Sequence, residues 1–272
     1  MTMPAGQDDA RAAEALAEAL ERQAAYEARR ATRLGQGAER FTRPLGGAVA
    51  RMVPPEAVRA ALRAADAFAA HTLGELTHDL DDLDACEAAA RRVQALSAGA
   101  NAASGAAAGW FGAAGLTADV ASTIGLAART VRATGLAYGF EGTGPEESGF
   151  RLMVLEVATA QADAGRAERL AEMNRLAAWL ASPQGRLIVE KGGDWVAEKV
   201  VERVARQLGV SLAGRKAGQA VPLVGGAVAA VVNASFQTDV ARAARYAYRQ
   251  RWLMARRLIG APPGADAGEA AP

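Results

Sequence analysis

Two stretches without a single charged side chain constrain this chain more than anything else in it. One runs from Val93 to Ala118, and the other is the 22 residues between Lys216 and Asp239. Both are built largely from Ala, Gly and Val. Uncharged segments of that length are poor surface helices in water and call for cover by protein or by lipid. The second is long enough to span a bilayer as a helix. Its strong apolar residues, Val221, Leu223, Val224, Val228, Val231, Val232 and Phe236, together contribute only about −3 kcal/mol on an insertion scale. Gln219, Pro222, Asn233, Gln237 and Thr238 oppose that sum. Three placements are open for residues 217–238: a buried core helix, a hairpin dipping into a membrane, and a simple span. The polar residues rank them in that order. Gly225, Ala229 and Asn233 recur at every fourth position, which lets a second helix approach closely.

The rest of the chain reads as helix. Ala, Leu, Arg and Glu dominate, aromatics are only 5%, and no useful length of strand alternation occurs. A charged helix is expected over 8–34, with Leu16, Leu20 and Leu34 as its strong apolar positions, and another opens near Glu56 after Pro54-Pro55. Val120, Ile124, Ala127 and Val131 mark the buried stripe of a further helix, with Thr117 or Asp119 as its expected cap. In "FEGTGPEES", Thr143 or Gly144 can cap, Pro145 suits the first turn, and Glu146 and Glu147 suit the helix dipole. That helix should bury Phe150, Val154, Val157 and Ala158. A segment from about Asp194 carries Val196, Val200, Val204 and Leu208 inward, and a basic helix is expected over 238–259. The predicted fold is an all-α, multi-helix bundle in which Gly/Ala-rich helices of residues 97–138 pair with the 217–238 stretch. Its organisation divides into a charged helical extension (1–45), a helical domain (46–260) and a disordered tail (261–272).

Several chemistries find little footing. Net charge is +1, so no global field marks a nucleic-acid binder, and a single Cys86 forms no internal disulfide. The glycine run lacks GKS, GKT and a preceding strand, which excludes a P-loop. The best metal-like group is His71, Glu75, His78 and Asp82, which a continuous helix would bring onto one face with two imidazoles and two carboxylates. Acidic neighbours make the same segment a solvated face, and no metal, cofactor or catalytic residue is assigned from the sequence. On the last helix, Arg242, Arg245, Arg249 and Arg256 share one side, with Arg251 and Arg257 nearby and Tyr246, Tyr248 and Trp252 interleaved. Such a stripe fits a solvated face whose arginine stems cover apolar neighbours, or a helix lying on an anionic membrane.

Two ordered blocks resemble the EcsC family. In "GLTADVASTIGLAARTVRATGLAYGFEGTGPEES", Asp119, Arg129, Tyr138, Gly139, Pro145, Glu146 and Glu147 fall in the family's places. In "RKAGQAVPLVGGAVAAVVNASFQTDVARAARYAYRQRWL", Lys216, Gln219, Pro222, Gly225, Asn233, Ala244, Tyr248, Arg249 and Arg251 do the same. The first 45 residues lie outside the resemblance. Ala121 replaces a common Pro, Phe140-Glu141 replaces an aromatic-Asp pair, and Ser148 replaces a basic residue. The resemblance implies a helical bacterial protein working beside a membrane system, since the family takes its name from a gene grouped with an ABC-type transporter. It carries no defined reaction. The expectation is therefore a non-enzymatic binding or assembly protein near the inner membrane, with a membrane surface or membrane protein as partner. No nucleic acid is expected, and the resemblance names no small-molecule ligand. An enzyme with a polar site at Asp119, Lys216 and Asn233 is the alternative. Without an apolar leader in the first residues, the expected location is cytoplasmic, with peripheral attachment to the inner membrane as an option.

Overall fold

Helix, and no strand, makes up the secondary structure of the residues that the computed structural model describes: 5–28, 77–110, 113–142, 144–159, 164–182 and 225–261, with isolated helical positions between 60 and 67. The helices are α1 (Ala5–Ala28), α2 (Leu83–Trp110), α3 (Ala113–Ala137), α4 (Pro145–Thr159), α5 (Ala164–Ala181) and α6 (Gly225–Ala255). The described part of the chain is an all-α bundle. Most of the expected segment at 56–70, the segment at 194–208, the first part of the 217–238 stretch and the tail from 262 lie outside the described residues.

α6 packs against all five other described helices, most extensively against α2. It runs antiparallel to α2, since Glu87 meets Arg249 while Gln94, further along α2, meets Arg245. The expected pairing of the Gly/Ala-rich helices with the 217–238 stretch is thus found in α2, α3 and α6. α2 stays helical through Gly99, Gly105 and Gly109, and one reading of this region changes. The described part of the uncharged stretch, 225–238, and the basic helix, expected as separate elements, form one 31-residue helix. An isolated helix would lose about 1 kcal/mol per glycine, and packing against a neighbour overrides that cost.

Alanine buries little area, so the larger core side chains come from elsewhere. Phe236, Tyr246, Tyr248, Trp252 and Leu253 of α6 pack with Ile124, Tyr138, Phe150, Leu155 and Met173 in one cluster. Of the predicted stripes, Ile124, Ala127 and Val131 are buried on α3, where the side chain of Val120 lies outside the described residues, and Phe150, Val154, Val157 and Ala158 are buried on α4.

The ends of the helices follow local chemistry. Asp82 caps α2, its Oδ1 accepting from the amides of Asp84 (2.8 Å) and Ala85 (3.3 Å). α4 starts at Pro145 as expected, and the Gly144 carbonyl accepts the first helical bond from Ser148 N at 2.9 Å. α3 starts at Ala113, so Thr117 and Asp119 stand inside the helix rather than capping it. It ends in a Schellman turn: Phe140 N donates to Gly135 O (2.9 Å) and Gly139 N to Leu136 O (2.8 Å), with Gly139 at φ +82°.

Gly135 permits the closest approach between α3 and α6. A Cβ there would stand 2.7 Å from Cζ and 2.9 Å from Oη of the buried Tyr248 ring. The ring is hemmed in by Phe140 and Phe150, with centroids 5.8 and 5.4 Å away. Gly135→Ala should therefore destabilise the fold by about 1–3 kcal/mol through overpacking, despite alanine's better helix propensity. Thermal unfolding checks this, and a raised Tm would contradict the packing described.

Candidate functional site

The arginines expected on an outer face of the last helix turn inward. Arg249 and Arg251 are buried and Arg245 nearly so, while Arg242 is exposed. They meet two buried carboxylates, Glu87 of α2 and Glu147 of α4, and so form two ionic centres in the bundle.

Glu87 has no exposed surface. Its Oε1 accepts from Arg249 Nε at 2.5 Å and from the Tyr138 hydroxyl, and its Oε2 accepts from Arg245 Nη2 at 2.8 Å. Arg22 of α1 and Arg91 of α2 each bring Nη1 to 3.7 Å from Oε2. Polar side chains hold the guanidinium groups in place. Arg249 Nη1 donates to Gln23 Oε1 at 2.8 Å, and Arg245 Nη1 to Gln94 Oε1 at 3.1 Å. Gln23 in turn donates to Gln250 Oε1 at 2.6 Å, which fastens α1 onto α6. Burial alone would raise the Glu87 carboxyl, but Arg249, Arg245 and the Tyr138 hydroxyl outweigh it and hold the pKa at about 2. Burial and the Glu87 charge push the Tyr138 phenol well above its ordinary value, and burial lifts the neighbouring Cys86 thiol to about 11.

The second centre closes the turn between α3 and α4. Arg251 and Glu147 form a two-pronged pair, with Nη1 donating to Oε2 at 2.7 Å and Nη2 to Oε1. The guanidinium lies 4.2 Å from the centroid of Phe140 and 5.4 Å from that of Phe150. Arg132 donates to the carbonyls of Glu141 (2.8 Å) and Gly142, and Arg151 donates to Gly142 O at 3.0 Å. Arg151 also donates to Ser148 Oγ at 2.8 Å. A basic residue at 148 would set a second cation beside Arg151, so the departure from the family pattern there matches this local pairing.

Among the positions singled out in the sequence, Tyr138 and Arg249 come together at Glu87, while Glu147 and Tyr248 sit at the Arg251 centre. Burial raises the Tyr248 phenol to about 12, with the charges of Arg151, Glu147, Arg251 and Arg132 around it. Glu146 is half-buried in the first turn of α4, Arg129 is half-buried on α3, and Asn233 is buried on α6. Lys216, Gln219 and the side chain of Asp119 lie outside the described residues. The convergence of Asp119, Lys216 and Asn233 that the enzyme alternative needs is therefore not among the described contacts.

The metal-like group is not carried on one helix. His78 and Asp82 lie in a non-helical stretch before α2, and His71 and Glu75 are outside the described residues. The His78 Nε2–H donates to Ala137 O at 2.8 Å, while Asp82 is spent on the α2 cap. Among the described residues no group of three or more His, Cys, Asp or Glu is arranged to hold a metal ion. The same stretch anchors the end of α6: Leu80 O accepts from Trp252 Nε1 (3.0 Å) and Arg256 Nη2 (2.8 Å).

Glu87, the hub of the first centre, went unnoticed in the sequence, as did Gln23, Arg132 and Arg151. A signal for Glu87 does exist. Leu83, Cys86 and Ala90 form a buried stripe on α2, and Glu87 stands on that stripe as its one charged member.

The family model described as the EcsC protein family matches residues 17–253, beginning inside α1 and ending two residues before the end of α6, so the match takes in residues 17–45, which were expected to lie outside the resemblance. No curated protein and no solved structure matches the chain. The chain belongs to the EcsC protein family.

Proposed function

We propose that this EcsC-family chain is a non-enzymatic binding or assembly protein that works at the inner face of a membrane, beside a membrane-protein partner such as an ABC-type transporter. The observation that carries the reading is the alignment of the charge-free segments. The antiparallel register sets residues 93–110 of α2 beside the first half of α6, and α3 returns from the same end. From Val93 to Ala118 and from Gly225 to Thr238, these helices contribute no charged residue. Leu96 is 75% exposed there and Val231 51%. No helix among the described residues is long and apolar enough to cross a membrane, so the contact we propose is shallow rather than spanning.

The ionic centres support a binding role over a catalytic one. Tyr138, Glu147 and Arg249 spend their polar groups joining helices. The Glu87 carboxyl is held down and the Tyr138 phenol held up, so one stays a carboxylate and the other a neutral donor, which suits a fixed hydrogen-bonded pair and not proton transfer at neutral pH. The inward arginines also change the expected lipid preference, since attachment through the charge-free end needs no anionic lipid.

Flotation with vesicles tests this. The protein should float with neutral phosphatidylcholine vesicles, and the association should survive high salt. Leu96→Glu and Val231→Glu should each abolish flotation while leaving Tm unchanged, because both side chains are exposed. Binding confined to anionic vesicles at low salt, or no binding at either salt, would refute the charge-free end as the contact.

A further inference from the structure

Around Glu87 the cations outnumber the anions. Arg22, Arg91, Arg245 and Arg249 each place a nitrogen within 4 Å of its carboxylate, and among the described ion pairs of this cluster the only other acid is Glu18, on Arg22. Arg249 is used up internally, between Glu87 and Gln23. The other three come from three different helices and converge on one oxygen, Glu87 Oε2, at 3.7, 3.7 and 2.8 Å. Their side chains remain 32, 50 and 17% exposed for Arg22, Arg91 and Arg245. Two of these separations are too long for hydrogen bonds, so Arg22 and Arg91 feel the carboxylate's charge without spending N–H donors on it. Arg245 Nε is buried with no hydrogen-bond partner, while its Nη1 is fixed by Gln94.

Three guanidinium forks with donors to spare, held at one point by α1, α2 and α6, make a strong receptor for an oxyanion. A carboxylate ligand has two oxygens and one charge. A phosphate has up to two charges and at least three oxygens, which matches both the charge surplus and the number of forks. We propose that Arg22, Arg91 and Arg245 form a binding site for a phosphate group, with Glu87 beneath them fixing their positions. The site stands near the start of α2, and by helix rise Arg91 lies only about 8 Å from the exposed Leu96, so the phosphate can belong to a soluble phosphomonoester or to a lipid headgroup, and the experiment distinguishes the two. This inference does not rest on the proposed membrane contact.

Titration of the full chain with inorganic phosphate, against chloride at matched ionic strength, tests it by calorimetry and by Tm. Saturable binding and a Tm that rises with phosphate are expected. Arg91→Ala should weaken the affinity roughly tenfold and leave Tm in chloride unchanged, because Arg91 is half exposed. Arg92→Ala, removing the exposed neighbour outside the cluster, should bind as the parent does. Equal affinity in the two variants would overturn the site, as would no saturable response to phosphate together with no Arg91-dependent gain, over neutral vesicles, in binding to phosphatidic-acid vesicles. Arg91-dependent binding to those vesicles, without a response to inorganic phosphate, would keep the site and assign its phosphate to a lipid. Neither Arg91 result alters flotation with neutral vesicles, so the two proposals fail separately.

Discussion

Glu87→Gln should cost about 3–5 kcal/mol of folding stability at neutral pH, because it keeps the side chain's shape but leaves a buried Arg249 and three neighbouring guanidinium groups without their central anion. The pH dependence identifies the cause. The Glu87 carboxyl has a folded-state pKa of about 2 against an ordinary value of 4.5. A depressed acid contributes stability above the unfolded pKa and loses it as pH falls through the folded one. This contribution, about 3 kcal/mol for a shift of this size, should be intact above pH ~4.5 and vanish toward pH ~2. The gap between parent and Glu87→Gln should narrow over that window. Urea unfolding in chloride at pH 7 and through the acid range measures both, and a gap that stays constant with pH would remove Glu87 ionisation as its source.

Arg251→Met should be comparably damaging, at about 3–5 kcal/mol, since it strands the Glu147 carboxylate in a closed turn. It also removes the cation from between Phe140 and Phe150. The informative partner is the double change Glu147→Gln with Arg251→Met. Once no charge is left uncompensated, the double variant should be more stable than Arg251→Met alone, which a double-mutant cycle reads directly. Equal stabilities for the single and the double variant would mean that packing over the phenyl rings, and not charge, holds the turn.

What could be read from the sequence was local. The start of α4 is encoded within five residues, and Gly144, Pro145 and Glu146 stand where helix-start chemistry puts them. The stripes on α3 and α4 repeat within a single helix, so periodicity finds them. The Tyr-Gly pair of the family pattern resolves into two jobs, a hydroxyl on Glu87 and a positive-φ helix end. What could not be read was long-range. Arg249 and Glu87 are 162 positions apart, and nothing near either residue names the other. The arginine stripe misled for the same reason: its spacing shows that Arg245 and Arg249 share a face, but not whether the face looks outward. The boundary inside α6 misled differently. A shift in composition from uncharged to basic at Thr238 reads as a change of element, yet both halves are good helix and the backbone continues through.

That continuity has a mechanical consequence. After Gly226 the helix contains no glycine and no proline, so over most of its length, about 46 Å in all, α6 has no joint at which to bend. Its uncharged end and its arginine-bearing end are two ends of a single stiff rod. Displacing one end along the axis means moving the whole shaft, against its packing on α2 and α3 and against the ion pairs of Arg245, Arg249 and Arg251. Without a joint, α6 holds its uncharged end and its arginine-bearing end at one fixed separation.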